Sequence, residues 1–203
     1  MADQVRVWCL RHGESENVAA GIAGAVPWSA LTAAGRRQAA EAARRLADEP
    51  IVRIYSSSAL RARQTAAGLA SVRGLDVVAM DELAEVGIGE FDGSRDPAIL
   101  GLTAKVLRAW IVEGDLEQRV GDGESGRRVV ARMAGSFRRI AADHGGETVV
   151  VVGHVASLTV TLARLCDLGA RVWGTPLPYA EPFLVEWNGT TWRCLSWPVP
   201  LRP

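Results

Sequence analysis

Short runs of β-branched and apolar residues alternate with longer Ala-, Leu- and Arg-rich stretches of helical period along nearly the whole chain. No other feature limits the fold as strongly. Strands separated by helices pair in parallel, because each crossover helix returns the chain to the same end of the sheet with a right-handed turn. Strands are expected at residues 5–10, 51–55, 76–80 and 148–152. The last is the most continuous apolar run and belongs at the sheet centre, covered on both faces. Helices are expected from an N-cap at Thr32 to residue 48, at 59–70, from a second N-cap at Ser125 to residue 143, and at 156–168. Residues 183–187 and 192–196 flank Asn188-Gly189, a hairpin turn signal. The expected fold is α/β: a three-layer α/β/α sandwich with a mainly parallel central sheet. Residues 87–126 are punctuated by Gly and Asp, with one helical patch at 98–112, and read as an insertion or lid. With 203 residues, 48% of them hydrophobic, the chain has material for one sizeable core, so residues 1–203 are expected to form a single domain.

Charge removes whole classes of partner. Twenty-three basic residues balance 23 acidic ones, so no overall field draws the chain to nucleic acid or to an anionic membrane. Cys9, Cys166 and Cys194 are odd in number and lack C-x-x-C spacing, so they read as reduced thiols rather than a disulfide frame or zinc site. The start Met1-Ala2-Asp3-Gln4 shows no basic segment ahead of an apolar one. Residues 149–165, the most apolar segment, are interrupted by Gly153, His154 and Arg164. Together these features predict a soluble cytoplasmic protein, and they leave a homodimer open.

Ligands of a parallel sheet bind beyond the carboxyl ends of its strands. After the first strand comes Arg11-His12-Gly13-Glu14-Ser15, after the second a run from Ser56 to Thr65 that includes Arg61, after the third Glu82 and Glu85, and after the fourth Gly153-His154. Two histidines, at least two arginines and a carboxylate thus reach one edge. That composition suits phosphoryl transfer without a metal. Arginine forks match phosphate oxygens and offset the dianion. Neutral imidazole is a competent nucleophile near pH 7. A carboxyl can protonate the leaving alkoxide and afterwards activate water. No Walker-type loop, G-x-S-x-G elbow or H-E-x-x-H pair competes with this reading.

Arg11-His12-Gly13-Glu14-Ser15 after the first strand resembles the signature of the histidine phosphatase superfamily, which includes the cofactor-dependent phosphoglycerate mutases. The stretch from Tyr55 through Arg61 to Thr65, then Leu83-Ala84-Glu85 running on through Gly89 to Gly93, and Val151-Val152-Gly153-His154 resemble its later motifs in order. Leu31-Thr32 through Gly35 and Gly123-Glu124-Ser125 match further landmarks. The resemblance implies a phosphoglycerate mutase-like fold, His12 as the phosphorylated nucleophile, Arg11, Arg61 and His154 around the phosphoryl oxygens, and Glu85 as proton donor and later base. It implies no metal and no cofactor, and it has His154 working as an imidazolium held charged by the phosphate dianion beside it. Asn17 comes five places after His12 where the family often has Asn six places after, and Val155-Ala156 replaces the usual small residues, making that wall more apolar.

Around this set stand the weaker candidates. Ser15 either donates a hydrogen bond or caps the turn; Glu14 is expected to be structural, Arg63 to face solvent and His144 to cap a helix end. Glu82 competes with Glu85, with the Leu-x-Glu register favouring Glu85. Trp28 and Trp110 fall where family members line the substrate mouth, and Trp28 is carried with Ser15, Asn17 and Val155 as a substrate contact. The expected activity is a metal-independent phosphomonoester hydrolase acting on a sugar-, cyclitol- or similar small-metabolite monophosphate. A bisphosphate-primed phosphomutase is the alternative, with a silent phosphate-binding module behind it.

Overall fold

The computed structural model describes residues 4–202. The reading of the amino-terminal start as lacking a leader falls mainly on residues 1–3, outside that range.

Six strands, β1 (Val5–Arg11), β2 (Ile51–Ser57), β3 (Val77–Met80), β4 (Thr148–Gly153), β5 (Phe183–Trp187) and β6 (Trp192–Cys194), form one sheet in the order β3-β2-β4-β1-β5-β6. The pairs β3/β2, β2/β4 and β4/β1 are parallel; β5 and β6 continue the sheet antiparallel beyond β1. Four consecutive valines place β4 inside the sheet with every residue buried. Its side chains alternate between two cores, as the period of a strand requires. Val149 and Val151 join Val5, Val7, Met133, Phe137 and Leu158 on one face. Val150 and Val152 join Leu10, Ala42, Ile54, Ala66 and Leu69 on the other.

Helices α2 (Ala33–Arg45) and α3 (Leu60–Ser71) cover the second face, and α5 (Gly126–Asp143) and α6 (Val155–Leu165) cover the first. That is the expected three-layer sandwich. Both expected caps are present: Thr32 Oγ1 accepts from Gly35 N at 3.0 Å and Ser125 Oγ accepts from Arg128 N at 3.3 Å. A short helix, α1 (Glu16–Ala19), follows the first motif, and α4 (Pro97–Arg108) with a π turn at Ala109–Glu113 occupies the Gly- and Asp-punctuated stretch.

Several boundaries differ from expectation: α2 ends at Arg45 rather than residue 48, and β6 at Cys194 rather than residue 196. Helix α6 ends at Leu165 rather than residue 168, and Asp167 then takes a positive φ of 52° to turn the chain. The β5–β6 hairpin turns at Asn188-Gly189 as expected, and Asn188 Oδ1 accepts from both Thr190 N and Thr191 N, so the Asn side chain organises the turn. Among the described residues, no helix is long and apolar enough to cross a membrane.

Candidate active site

Register builds the site. In the β1/β4 ladder Arg11 lies opposite Gly153, so His12 and His154 each follow the end of one of two neighbouring strands. The His12 amide donates to the Gly153 carbonyl at 3.0 Å, and the two imidazoles meet edge to face with centroids 5.1 Å apart. His12 is 2% exposed and His154 fully enclosed.

The loop behind His12 is held by close backbone approach. A Cβ on Gly13 would lie 2.5 Å from the Gly35 carbonyl oxygen, and one on Gly35 would lie 2.0 Å from the Glu14 carbonyl oxygen. Only glycine at both positions lets the loop press against the start of α2. Thr65 Oγ1 accepts from Gly13 N at 3.0 Å and donates to the Arg61 carbonyl at 2.8 Å, fastening the same loop to the first turn of α3. Glu14 is structural as expected: its Oε1 accepts from Thr32 Oγ1 at 2.6 Å.

Hydrogen-bond partners fix the tautomers of both rings. His12 Nδ1 lies 2.6 Å from the Gly13 carbonyl, which can only accept, so Nδ1 carries the proton. Nε2 accepts from Arg61 Nε at 3.1 Å, and a guanidinium can only donate. Burial, followed by the Arg61 charge, lowers the His12 pKa to about 3, so the ring is neutral with its lone pair on Nε2. His154 Nδ1 accepts from the Arg61 guanidinium at 3.3 Å, which leaves Nε2–H to donate to Ser57 Oγ at 2.8 Å. Burial pushes its pKa well below the ordinary value, and His12 and Arg61 add to the effect. In the ligand-free protein His154 is therefore neutral; the expected imidazolium belongs to the state with a phosphate dianion beside the ring. Enclosure and two fixed partners make His154 a neutral ring set behind His12, outside the cleft lining.

Arg61, 2% exposed, is the junction of the cluster and is also held by the Val26 carbonyl. Arg11 donates from Nη1 to the Leu177 carbonyl at 3.0 Å and lies over the Tyr179 ring, 4.1 Å from its centroid. Its Nε is buried with no partner among the described residues, an orphan donor of the kind an anion satisfies. Burial lowers both guanidinium pKa values, and both groups remain charged.

Glu85 enters from the loop after β3. Its Oε1 accepts from Val86 N and Ser157 N, both at 2.9 Å, and its Oε2 from Ala156 N at 3.2 Å, which places the carboxyl at the N-terminus of α6. Below this loop Arg132 donates to the carbonyls of Glu82 (2.7 Å), Ala84 (2.8 Å) and Glu85 (3.2 Å) and makes a two-pronged pair with Glu124 at 2.9 Å. Burial pushes the Glu124 carboxyl up, but Arg132 and the Gly87 amide override it and hold the group below the usual carboxylate range. Glu82 faces outward toward Arg139, which separates the two competing carboxylates.

Arg11, His12, Asn17, Arg61, Glu85 and Val155 line one cleft of about 420 Å³. Asn17 reaches it despite its shifted spacing. Ser15 does not line it: the fully buried Ser15 Oγ donates to Asn17 Oδ1 at 2.7 Å, orienting the amide, and neither caps α1 nor faces a ligand. Trp28 is corrected as well. It is 77% exposed and outside the lining, because its segment is tied down through the Val26 and Pro27 carbonyls and leaves the indole pointing to solvent. Trp110 is a core residue whose Nε1 donates to the Gln118 carbonyl at 2.9 Å. Arg63 is exposed and His144 caps α5, as expected. Sequence reasoning gave no role to Ser57 or Thr65, although both lie inside the second motif. Tyr179, 168 positions from Arg11, carried no local signal.

The sequence model of the histidine phosphatase superfamily (branch 1) matches residues 7–200. The chain is 29% identical over 205 residues to a probable phosphoglycerate mutase GpmB of Proteus mirabilis, covering 96% of this chain and 91% of that one. It is 29% identical over 170 residues to phosphoserine phosphatase 1 of Hydrogenobacter thermophilus, covering 83% and 80%. The solved structure of a mycobacterial glucosyl-3-phosphoglycerate phosphatase superposes with a TM-score of 0.82 at 26% identity, covering 96% and 98%. A match that begins in β1 and ends beyond β6 takes in every strand of the sheet. This chain belongs to branch 1 of the histidine phosphatase superfamily.

Proposed function

We propose that this protein is a metal-independent phosphomonoester hydrolase that passes the phosphoryl group through Nε2 of His12. The observation that carries the reading is the tautomer of that ring. Its proton is held on Nδ1 by the Gly13 carbonyl, and its lone pair is presented from Nε2 in a cleft that also holds Arg11, Arg61 and Glu85.

A substrate dianion enters between the two guanidinium groups. Arg61 Nε exchanges its bond to His12 for one to a phosphoryl oxygen, and Arg11 Nε gains the partner it lacks. The Nε2 lone pair forms the N–P bond while the P–O bond to the leaving group breaks, and Glu85 delivers a proton to that oxygen. The Nδ1–H···O=C bond supports the positive charge that develops on the ring. Water then attacks phosphorus, Glu85 takes its proton, and the N–P electron pair returns to Nε2. Throughout, the work is positioning and charge stabilisation.

Arg11 and Arg61 are the basic side chains of the cleft lining; Arg95, Lys105, Arg108 and Arg119 lie elsewhere. A phosphoglycerate needs a further cation for its carboxylate, so this lining favours hydrolysis of a small-metabolite monophosphate over mutase action. We take residues 1–203 as one domain, with 87–126 forming a side wall of the cleft through Leu100, Thr103, Ala104 and Leu107. The three free thiols accord with a cytoplasmic setting.

With an aryl phosphate in the presence of EDTA, the wild type is expected to release phosphate and His12→Ala to lose that activity. Full activity in His12→Ala overturns the mechanism. Interconversion of phosphoglycerates on a bisphosphate primer, without net hydrolysis, would establish the mutase instead, and phosphate binding without turnover the silent module.

A further inference from the structure

A second cavity of about 470 Å³ adjoins the catalytic cleft and shares Arg11, Ala104, Leu107, Val155 and Pro176 with it. The shared residues make it an extension of the same site. Beyond them its walls come from the π turn after α4 (Ile111), the second turn of α6 (Thr159) and the segment after α6 (Val172, Trp173, Tyr179). Among the described residues, Arg11 is the one charged side chain in its lining, and it is already engaged with Leu177 and Tyr179. Thr159 offers no free donor, because its hydroxyl donates to the Val155 carbonyl at 2.6 Å, which leaves Thr175 and Tyr179 as the hydroxyl side chains of the lining. Polyols would bring several hydroxyls into walls with few partners for them, and each unpaired buried hydroxyl costs free energy.

Position assigns the cavity to the departing alcohol. Glu85 is held by the amide of Ala156, and Val155, the preceding residue, lines both spaces. An alcohol whose oxygen meets Glu85 therefore has its carbon skeleton beside Val155, with the extension next to it. A cavity of roughly 150 Å³ holds one benzene, so this one has room for two fused rings or a chain of about eight carbons.

Resting on the hydrolase reading above, we propose that this cavity is the leaving-group subsite and that the preferred substrates are monophosphate esters of uncharged, predominantly apolar alcohols or phenols. Sugars and cyclitols are then poor candidates, although they too are uncharged.

The n-alkyl phosphates from ethyl to hexyl test this, because their leaving groups have nearly the same basicity and differ only in apolar length. kcat/KM is expected to rise about 4-fold per methylene. Calorimetric affinity for the matching n-alkylphosphonates, which cannot be hydrolysed, is expected to rise in parallel. Leu107→Ser and Trp173→Ser, checked for wild-type melting behaviour, should each flatten both slopes. A flat series in the wild type, or slopes undiminished in both variants, overturns the subsite. A phosphonate slope without any turnover of phosphate esters leaves the subsite standing and removes the hydrolase reading. Turnover with no dependence on chain length does the reverse.

Discussion

His12 and His154 share one guanidinium: Arg61 donates to Nε2 of the first ring and to Nδ1 of the second, so the pair is poised by a cation rather than by a carboxylate. The consequence for pH is direct. A ring whose pKa is lowered to about 3 stays unprotonated throughout the range in which ordinary histidine titrates. In the ligand-free protein, the ring carbon resonances of His12 followed by NMR should show no titration between pH 8 and pH 5. A midpoint near the ordinary histidine value would refute the buried neutral ring. The acid limb of kcat/KM should then follow the second ionisation of the substrate, near pH 6 for a phosphate monoester, and not the nucleophile. Glu85→Gln removes the transferable proton while keeping much of the shape. Turnover of alkyl phosphates should fall by about 100-fold or more, whereas aryl phosphates with good leaving groups lose much less. Equal slowing for both would place the acid elsewhere.

At the level of elements, the loop carrying His12 and the start of α2 touch backbone to backbone, and no side-chain rearrangement relieves a Cβ 2.0 Å from a carbonyl oxygen. Gly35→Ala should therefore destabilise the fold by about 1–3 kcal/mol, with overpacking as the cause, read from urea unfolding. An unchanged midpoint would show that the contact yields easily. Arg132 ties the Glu85 loop to Glu124 through the carbonyls of Glu82, Ala84 and Glu85 and does not itself line the cleft. Arg132→Met is expected to lower kcat about 10-fold or more, most for poor leaving groups, and to leave phosphate binding little changed; a change confined to KM would contradict a positioning role. Local chemistry explains what could be read ahead of the structure. Thr32 and Ser125 announce helix starts because capping is settled within four residues, and the valine run of β4 announces a doubly covered strand. Pairing across the sheet has no such signal. Nothing near His12 indicates that its amide will meet Gly153, that Tyr179 will lie under Arg11, or that Ser15 will turn inward to Asn17 while Trp28 turns out.

For the molecule as a whole, two neutral imidazoles enclosed in the fold tie stability to pH. Unfolding exposes both, and the unfolded chain takes up protons below about pH 6.5 while the folded His12 resists until about pH 3. Since the unfolded state binds more protons in that interval, stability falls as pH drops through it, by roughly 4 kcal/mol for His12 alone at pH 3. Denaturant unfolding free energies at pH 7, 5 and 4 should decline in that order, and His12→Gln should decline less steeply; parallel slopes would remove His12 as the cause. A larger consequence follows from the ladder in which Arg11 faces Gly153. Slipping β4 by one rung would part the two imidazoles and, in the same movement, turn its valine stripes toward the wrong layers. A cell that clears misfolded copies thereby also clears chemically incompetent ones.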